Sequence, residues 1–390
     1  MATIFDEYFN NLSINRIFIK NGVLNIASKA SITQDSLALE GKINLKLSNF
    51  VLNNNTLSEK IPFIAKNVNL VLDNFIIKPS KEIHIFKCEK ILINTNDSCI
   101  KINNLSYAAS EDSFQISSLK RLGKSRIMDV KIEKADVSKI DINKFLVSKN
   151  LETSLINIKN PEFNINFYPQ LKNIYNHSEL SDSMIESYEK THLDVYRDSI
   201  FNLLSFTDKS ISKIISKDIS IIKIDSIVAD SGIVNFNIKD TLDNKKVSTK
   251  NTFFISISKF DFNRDSLPDE NKFLFANDYY INLDKFQFLL PDRVHKIKAS
   301  NINLSTQQQF LYANQLWVGK SSESKLHSNN IVNFYLPEGC IKGIDFIHFA
   351  KTGNLLIDSC NVNSFVMLLI KQNTDSLVNM KNKAYFCAGF

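Results

Sequence analysis

Two distant stretches of this 390-residue chain carry the same landmarks in the same order. Asn21-Gly22-Val23-Leu24-Asn25-Ile26 returns as Ser231-Gly232-Ile233-Val234-Asn235-Phe236. Ile102-Asn103-Asn104-Leu105-Ser106 returns as Ile302-Asn303-Leu304-Ser305, and Ile140-Asp141-Ile142-Asn143-Lys144-Phe145 as Ile344-Asp345-Phe346-Ile347-His348-Phe349. The offsets are 210 (232 − 22), 199 (305 − 106) and 204 (344 − 140). This regularity argues for a tandem duplication, and a repeated unit of this size implies an extended architecture in which neighbouring units share a surface.

Within each copy most of the sequence alternates with period two. Ile43-Asn44-Leu45-Lys46-Leu47, Phe163-Asn164-Ile165-Asn166-Phe167 and Phe253-Phe254-Ile255-Ser256-Ile257 show the pattern. Alternation rich in β-branched and aromatic residues is the strand signal, with one apolar face and one carrying Asn, Ser and Lys. Polar clusters such as Asn53-Asn54-Asn55-Thr56, Asn94-Thr95-Asn96-Asp97 and Asp240–Asn244 read as turns. The fold class expected is therefore mostly β: a long, curled antiparallel sheet, a groove or half-pipe, built from two tandem repeats with a few short amphipathic helices.

One stretch departs from this. From about Ser178 to Ser216 apolar residues fall at helical spacing, as in Leu180, Met184, Ile185 and Tyr188. The expected organisation is a first β-repeat at 1–170 with a short helix near 137–149, a helical junction at 171–216, a second β-repeat at 217–372 with a helix near 344–352, and a tail at 373–390 that closes the chain or starts a further unit.

Composition narrows the function classes. The net charge of +6 is almost all Lys, spread along strands, whereas nucleic-acid readers concentrate Arg for bidentate contacts. No nucleic-acid partner is expected. The five cysteines, Cys88, Cys99, Cys340, Cys360 and Cys387, and the six scattered histidines show no metal-knuckle or redox spacing. No phosphate loop and no nucleophile elbow is present. The expectation is a non-enzyme without catalytic residue, metal or cofactor. No basic and apolar leader opens the chain, and Phe365–Ile370 is far short of the roughly 20 apolar residues that span a bilayer. The chain as given reads as soluble, or as an internal piece of a longer, exported or anchored protein.

The affirmative signal is the apolar face. On the order of twenty-five short strands would extend a continuous sheet to roughly 120 Å, more than one junction and two short helices can cover. Three resolutions follow: the sheet folds over itself as a dry core, it forms a trough for a foreign apolar ligand, or it packs against another protein. The groove reading takes as lining residues Ile43, Leu45, Leu47, Val68, Leu70, Leu72, Phe163, Ile165, Phe167, Phe253, Ile255, Ile257, Phe286, Phe288 and Leu290. The alternative is a structural or adhesive β-repeat protein with a self-filled core and no ligand. A carbohydrate-active enzyme is a third reading, weakened by the presence of Trp317 as the sole tryptophan.

The segment Val137-Ser138-Lys139-Ile140-Asp141-Ile142-Asn143-Lys144-Phe145-Leu146, followed by Leu155–Ile165 with its Asn160-Pro161, resembles the AsmA-like family in its Bacteroidota style. The Gly landmarks at Ile14–Leu24 and Ile224–Val234 fit the same style. The resemblance implies a long curled sheet with an apolar groove, related to TamB and the bridge-like lipid-transfer proteins. It implies lipid binding and transport and a role in outer membrane biogenesis. It further implies a bacterial cell envelope protein on the periplasmic side of the inner membrane, with phospholipid or another acyl-chain ligand as partner and membrane association through parts absent from this chain. The sequence departs from the family in lacking its N-terminal membrane helix and in placing Cys360-Asn361-Val362 where the second copy would carry the Asn-Pro landmark.

Overall fold

A computed structural model describes residues 12–27, 37–52, 65–79, 84–109, 119, 126–168, 219–239, 246–263, 269, 271–290, 294–321 and 330–371. The proposed junction at 171–216 and the tail at 373–390 lie outside the described residues. Six strands lead off: β1 (Leu12–Ala27), β2 (Leu37–Leu52), β3 (Ala65–Pro79), β4 (His84–Asn94), β5 (Cys99–Ala109) and β6 (Arg126–Ser138). Helix α1 (Ile142–Ser148) and strand β7 (Asn150–Phe167) complete the first unit. The order then recurs as β8 (Ile221–Lys239), β9 (Lys246–Asn263), β10 (Asp278–Leu289), β11 (His295–Ser305), β12 (Phe310–Lys320), β13 (Asn330–Lys342), α2 (Phe346–Thr352), β14 (Ser359–Val362) and β15 (Val366–Lys371).

All fifteen described strands form one open, curled sheet in sequence order from β1 to β14, with β15 also on β13. Every neighbour pair is antiparallel except β7–β8, which run parallel over fifteen residue pairs. A parallel pair requires the chain to return to the end it left, hence the long connection between these two strands. The fifteen described strands are longer than the alternation suggests. Thirteen steps of about 4.8 Å across fourteen strands make roughly 62 Å rather than 120 Å.

The excess in the strand count arises because polar interruptions inside strands are bends, not turns. A residue with positive φ sits within β1 (Asn21), β3 (Asn74), β5 (Asn104), β7 (Asn160), β8 (Ser231), β10 (Lys285) and β12 (Gln315). From β3 to β8 these positions form one line, and from β10 to β12 another; across β2 and β9 the line steps by three residues. Asn74 and Asn104 both lie opposite Glu89, and Asn104 and Asn160 both lie opposite Glu133. Asn104 Nδ2 donates to Glu89 Oε2, and Asn160 Nδ2 donates to Glu133 Oε2 at 2.6 Å. A left-handed residue in a strand locally bends and twists it. Repeated in register, it creases the whole sheet.

The crease also shifts the apolar phase by one residue. In β3 the set Val68, Leu70, Leu72 becomes Phe75, Ile77 after Asn74. In β5, Ile100 and Ile102 become Leu105 and Tyr107 after Asn104, and in β7, Ile156 and Ile158 become Pro161, Phe163 and Ile165 after Asn160. Both arms still face the same way. Ile158 pairs with Ala229 and Ala229 with Ile255, while Phe253, two residues from Ile255, meets the Phe163 ring at 5.7 Å. The floor of the crease holds small or compact residues that are buried: Cys88, Ala135, Pro161, Gly232, Ala299, Ala313 and Gly339. Side chains on the inside of a bend converge, so the apolar face is the inner one.

The duplication extends to backbone conformation. Positive-φ residues correspond at 21/231 and 49/259 (offset 210, 231 − 21), at 74/285, 98/309 and 104/315 (offset 211, 285 − 74), and at 139/343 and 149/353 (offset 204, 343 − 139). Single hydrogen bonds recur too. Val68 N donates to Thr95 Oγ1 at 2.8 Å, and Tyr279 N to Thr306 Oγ1 at 2.9 Å. Asp141 caps α1 by accepting from Lys144 N at 2.8 Å, and Asp345 caps α2 by accepting from His348 N at 2.7 Å. The fall from 211 to 204 is a shorter connection: sixteen residues separate β5 from β6 and nine separate β12 from β13.

Two sequence alignments are corrected by this register. Ile302 lies in β11 and matches Ile91 of β4 (302 − 211), not Ile102 of β5. Val137↔Ile156 in β6–β7 matches Ile341↔Cys360 in β13–β14, so Asn160-Pro161 corresponds to Ser364-Phe365, where the closing strand is split into β14 and β15.

Left-handed backbone costs an ordinary L-residue about 1–2 kcal/mol and Asn less. Asn160→Val is expected to lower the unfolding free energy by about 1–2 kcal/mol, and Lys285→Asn to raise it by about 0.5 kcal/mol, read by urea denaturation. At Gly232 an added Cβ would stand 2.3 Å from Phe253 Cζ. Gly232→Ala should therefore cost about 1–3 kcal/mol by overpacking, with Phe253→Leu restoring part of it.

Candidate functional site

The inner face carries an apolar row one residue wide and fourteen strands long. It runs Gly22, Ile43, Leu72, Ile91, Ile102, Ala135, Ile158, Ala229, Ile255, Ile281, Leu304, Leu311, Ile341, Cys360, each directly paired with the next. A second row, Ile77, Phe86, Tyr107, Val130, Phe163 and Val234, follows the other arm. The reverse face is polar. Lys42, Asp73, Lys90, Asn103, Lys134, Lys159 and Asp230 are likewise paired in succession.

The fourteen-membered row is not a core. Of its members only Ala135 is buried; the large aliphatic side chains are all partly exposed. In a sheet packed against a second layer, such central residues would be covered. Beside the compact residues of the crease floor, buried side chains gather in small separate clusters. Leu45, Leu47, Ala65 and Val68 form one, Ile222, Ile224, Phe262 and Phe275 another, and Leu119, Ile127 and Tyr168 a third. Helices α1 and α2 have seven residues each, about 10 Å, and sit at one rim, pinned through buried Ile140 and Ile344. Neither can roof a sheet some 62 Å wide.

Phe167 aside, the residues singled out from sequence have their side chains on this inner face. Ile43, Leu72 and Ile255 belong to the long row; Leu70 and Ile257 flank it; Phe163, Ile165, Phe286 and Phe288 lie beyond the crease. Leu45, Leu47, Val68, Ile165 and Phe253 are buried, so they build the wall rather than a free surface. Leu290 follows the end of β10 in phase with Phe288. The Phe167 backbone pairs with Ile238, and its side chain lies outside the described residues. Sequence reasoning missed Ile91, Ile102, Ile281, Leu304 and Leu311. Their strands alternate as clearly as the others, and the signal that joins them is the lateral register.

Among the described residues no group of three or more His, Cys, Asp or Glu converges on a metal-sized site. No described helix is long and apolar enough to cross a membrane. His84 stacks on Tyr107 at 4.5 Å with Asp129 Oδ1 3.8 Å from its Nε2, at the far end of the sheet. No known protein family matches the chain, and no curated protein is significantly similar to it in sequence.

Cys88 lies on the crease floor, where its Sγ donates to Asn103 O at 3.3 Å and Lys90 O at 3.4 Å. Burial pushes its thiol pKa up, outweighing these backbone bonds. Cys360 is exposed. Folded protein at neutral pH is expected to label with maleimide at Cys360 far faster than at Cys88, with both reacting in denaturant. A raised folded-state pKa means that the unfolded thiol ionises first. The stability held by the neutral Cys88 is therefore lost as pH climbs above about 8.5. Cys88→Ala should flatten that limb of the stability–pH curve.

Proposed function

We propose that the protein is a non-enzymatic carrier that binds phospholipid or another amphiphile along its inner apolar face and lets it pass across the strands. The observation that carries this reading is the partly exposed fourteen-residue row, which no described helix or strand layer roofs. A hydrocarbon chain laid on it gains about 0.8 kcal/mol per methylene removed from water. Against a bilayer the exchange is nearly neutral, since one apolar surface replaces another. The row varies little in chemistry along its length, so no position holds an acyl chain much more tightly than the next. That uniformity suits passage and opposes trapping.

The charged groups lie on the reverse face and at the rims, where a polar headgroup can remain hydrated while its chains lie inside. This reading agrees with the AsmA-like resemblance. Residence in the bacterial envelope, in contact with its membranes, belongs to the same proposal.

Gentle extraction followed by native mass spectrometry should reveal co-purifying phospholipid, and fluorescent acyl probes should bind the delipidated protein. Ile255→Glu places a charge in the middle of the row and is expected to weaken probe binding at least tenfold. Ser256→Glu, one residue away on the polar face, should leave it unchanged. A lipid-free protein that ignores acyl probes would favour a structural or adhesive β-repeat protein instead.

A further inference from the structure

The two lateral edges of the sheet are unequal to any interior strand. Among the described residues β1 pairs only with β2, and β14 and β15 pair only with β13. Natural edge strands are usually short, charged or covered. Here they expose large apolar side chains: Phe18 at 54% and Val23 at 78% on β1, and Val366 at 51% and Leu369 at 54% on β15.

The duplication states what such edges fit. β1 is the counterpart of β8, since Asn21-Gly22 and Ser231-Gly232 share a positive φ and a register shift. β14 and β15 together are the counterpart of β7. Ile341↔Cys360 and Asn330↔Lys371 reproduce Val137↔Ile156 and Arg126↔Phe167 at a single offset of 204 (371 − 167). Within the chain the outer edge of β7 is filled by β8, in parallel. Among the described residues no strand fills the same two edges on β1 and on β14 and β15.

We infer that a second copy of this chain docks its β1 in parallel against β14 and β15, repeating the β7–β8 seam between molecules. The register transfers directly. Ile156↔Ile227 becomes Cys360 opposite Ile17 (156 + 204; 227 − 210), and Glu162↔Ile233 becomes Val366 opposite Val23. The polar partner on the β7 side, Glu162, is thus replaced by an apolar residue that meets an apolar one. The contact is head-to-tail, so each copy keeps one free edge and the inner apolar row continues from Cys360 to Ile17 and Leu47 of the next copy. The seam is shorter than its template, ten strand residues in β14 and β15 against eighteen in β7, so association is weaker than folding. It does not depend on what the groove carries.

The test uses Ile17→Cys in the full chain. Mild oxidation should yield dimers and a descending ladder of longer species on non-reducing gels. Peptide mass spectrometry should then find position 17 joined to Cys360. The double variant Ile17→Cys/Cys360→Ser should form no such link alone, yet join wild-type protein through it. Sedimentation of unmodified protein should show mass rising with concentration. The inference is overturned if the protein stays monomeric up to about 0.1 mM and the linked peptide is absent. It is equally overturned if the linked product runs as a monomer, because the sheet would then close on itself.

Discussion

Every strand here must bend and still keep its apolar side chains on one side. Period two makes these demands conflict, because an extra or differently turned residue sends each later side chain to the opposite face. In alternate strands (β1, β3, β5 and β7, then β8, β10 and β12) the chain meets both with a left-handed residue at the bend, beside a one-residue shift in the apolar sequence. Asn104 illustrates the coupling: Ile102 and Leu105 flank it at odd spacing and nonetheless share the inner face. Were the backbone there ordinary β, Leu105 and Tyr107 would face solvent and the far arm of the trough would be polar inside. The small residues on the crease floor and the Asn–Glu pairs on its outer side follow from the same bend.

The second consequence is topological. A meander needs only short turns, and its sheet can grow strand by strand for as long as the sequence continues. The duplication joins two such meanders through one parallel seam, which preserves the direction of each copy and therefore the side on which its helix and turn-capping threonine lie. Thr95 and Thr306, like Asp141 and Asp345, stand at the same rim. The result is a surface uniform in chemistry across fourteen strands, unlike a globular domain, where a core closes and stops growth. A uniform surface and, among the described residues, two matching edge strands are both products of an architecture in which strands add one by one.

Much of this was legible in the residues. Alternation identified strands, and the residues chosen from it whose side chains are described share one face, five of them buried in the wall. Short helices were expected near 137–149 and 344–352, and α1 and α2 lie within those spans, each opened by an Asp cap that the structure shows. The strand count was misjudged because Asn is the preferred residue both of turns and of left-handed bends within a strand, and a local reading cannot separate these uses. The middle landmark was misaligned for a related reason: β4, β5, β11 and β12 all carry short Ile-Asn patterns that distinguish neighbours poorly. Hydrogen-bond register, absent from a linear pattern, paired Ile302 with Leu283 and Ala313 and so matched it to Ile91.

By itself the amino-acid order determined that this protein is a duplicated, strand-rich chain with one greasy side, because period-two alternation and repeated landmarks are properties of adjacent residues. Only the tertiary structure decided that the sheet curls without closing, that the copies meet in parallel, and that fourteen separate residues form one row. Those are lateral relations between segments up to hundreds of residues apart. They are set by which backbone groups pair and where left-handed bends align, and no single stretch of sequence contains them.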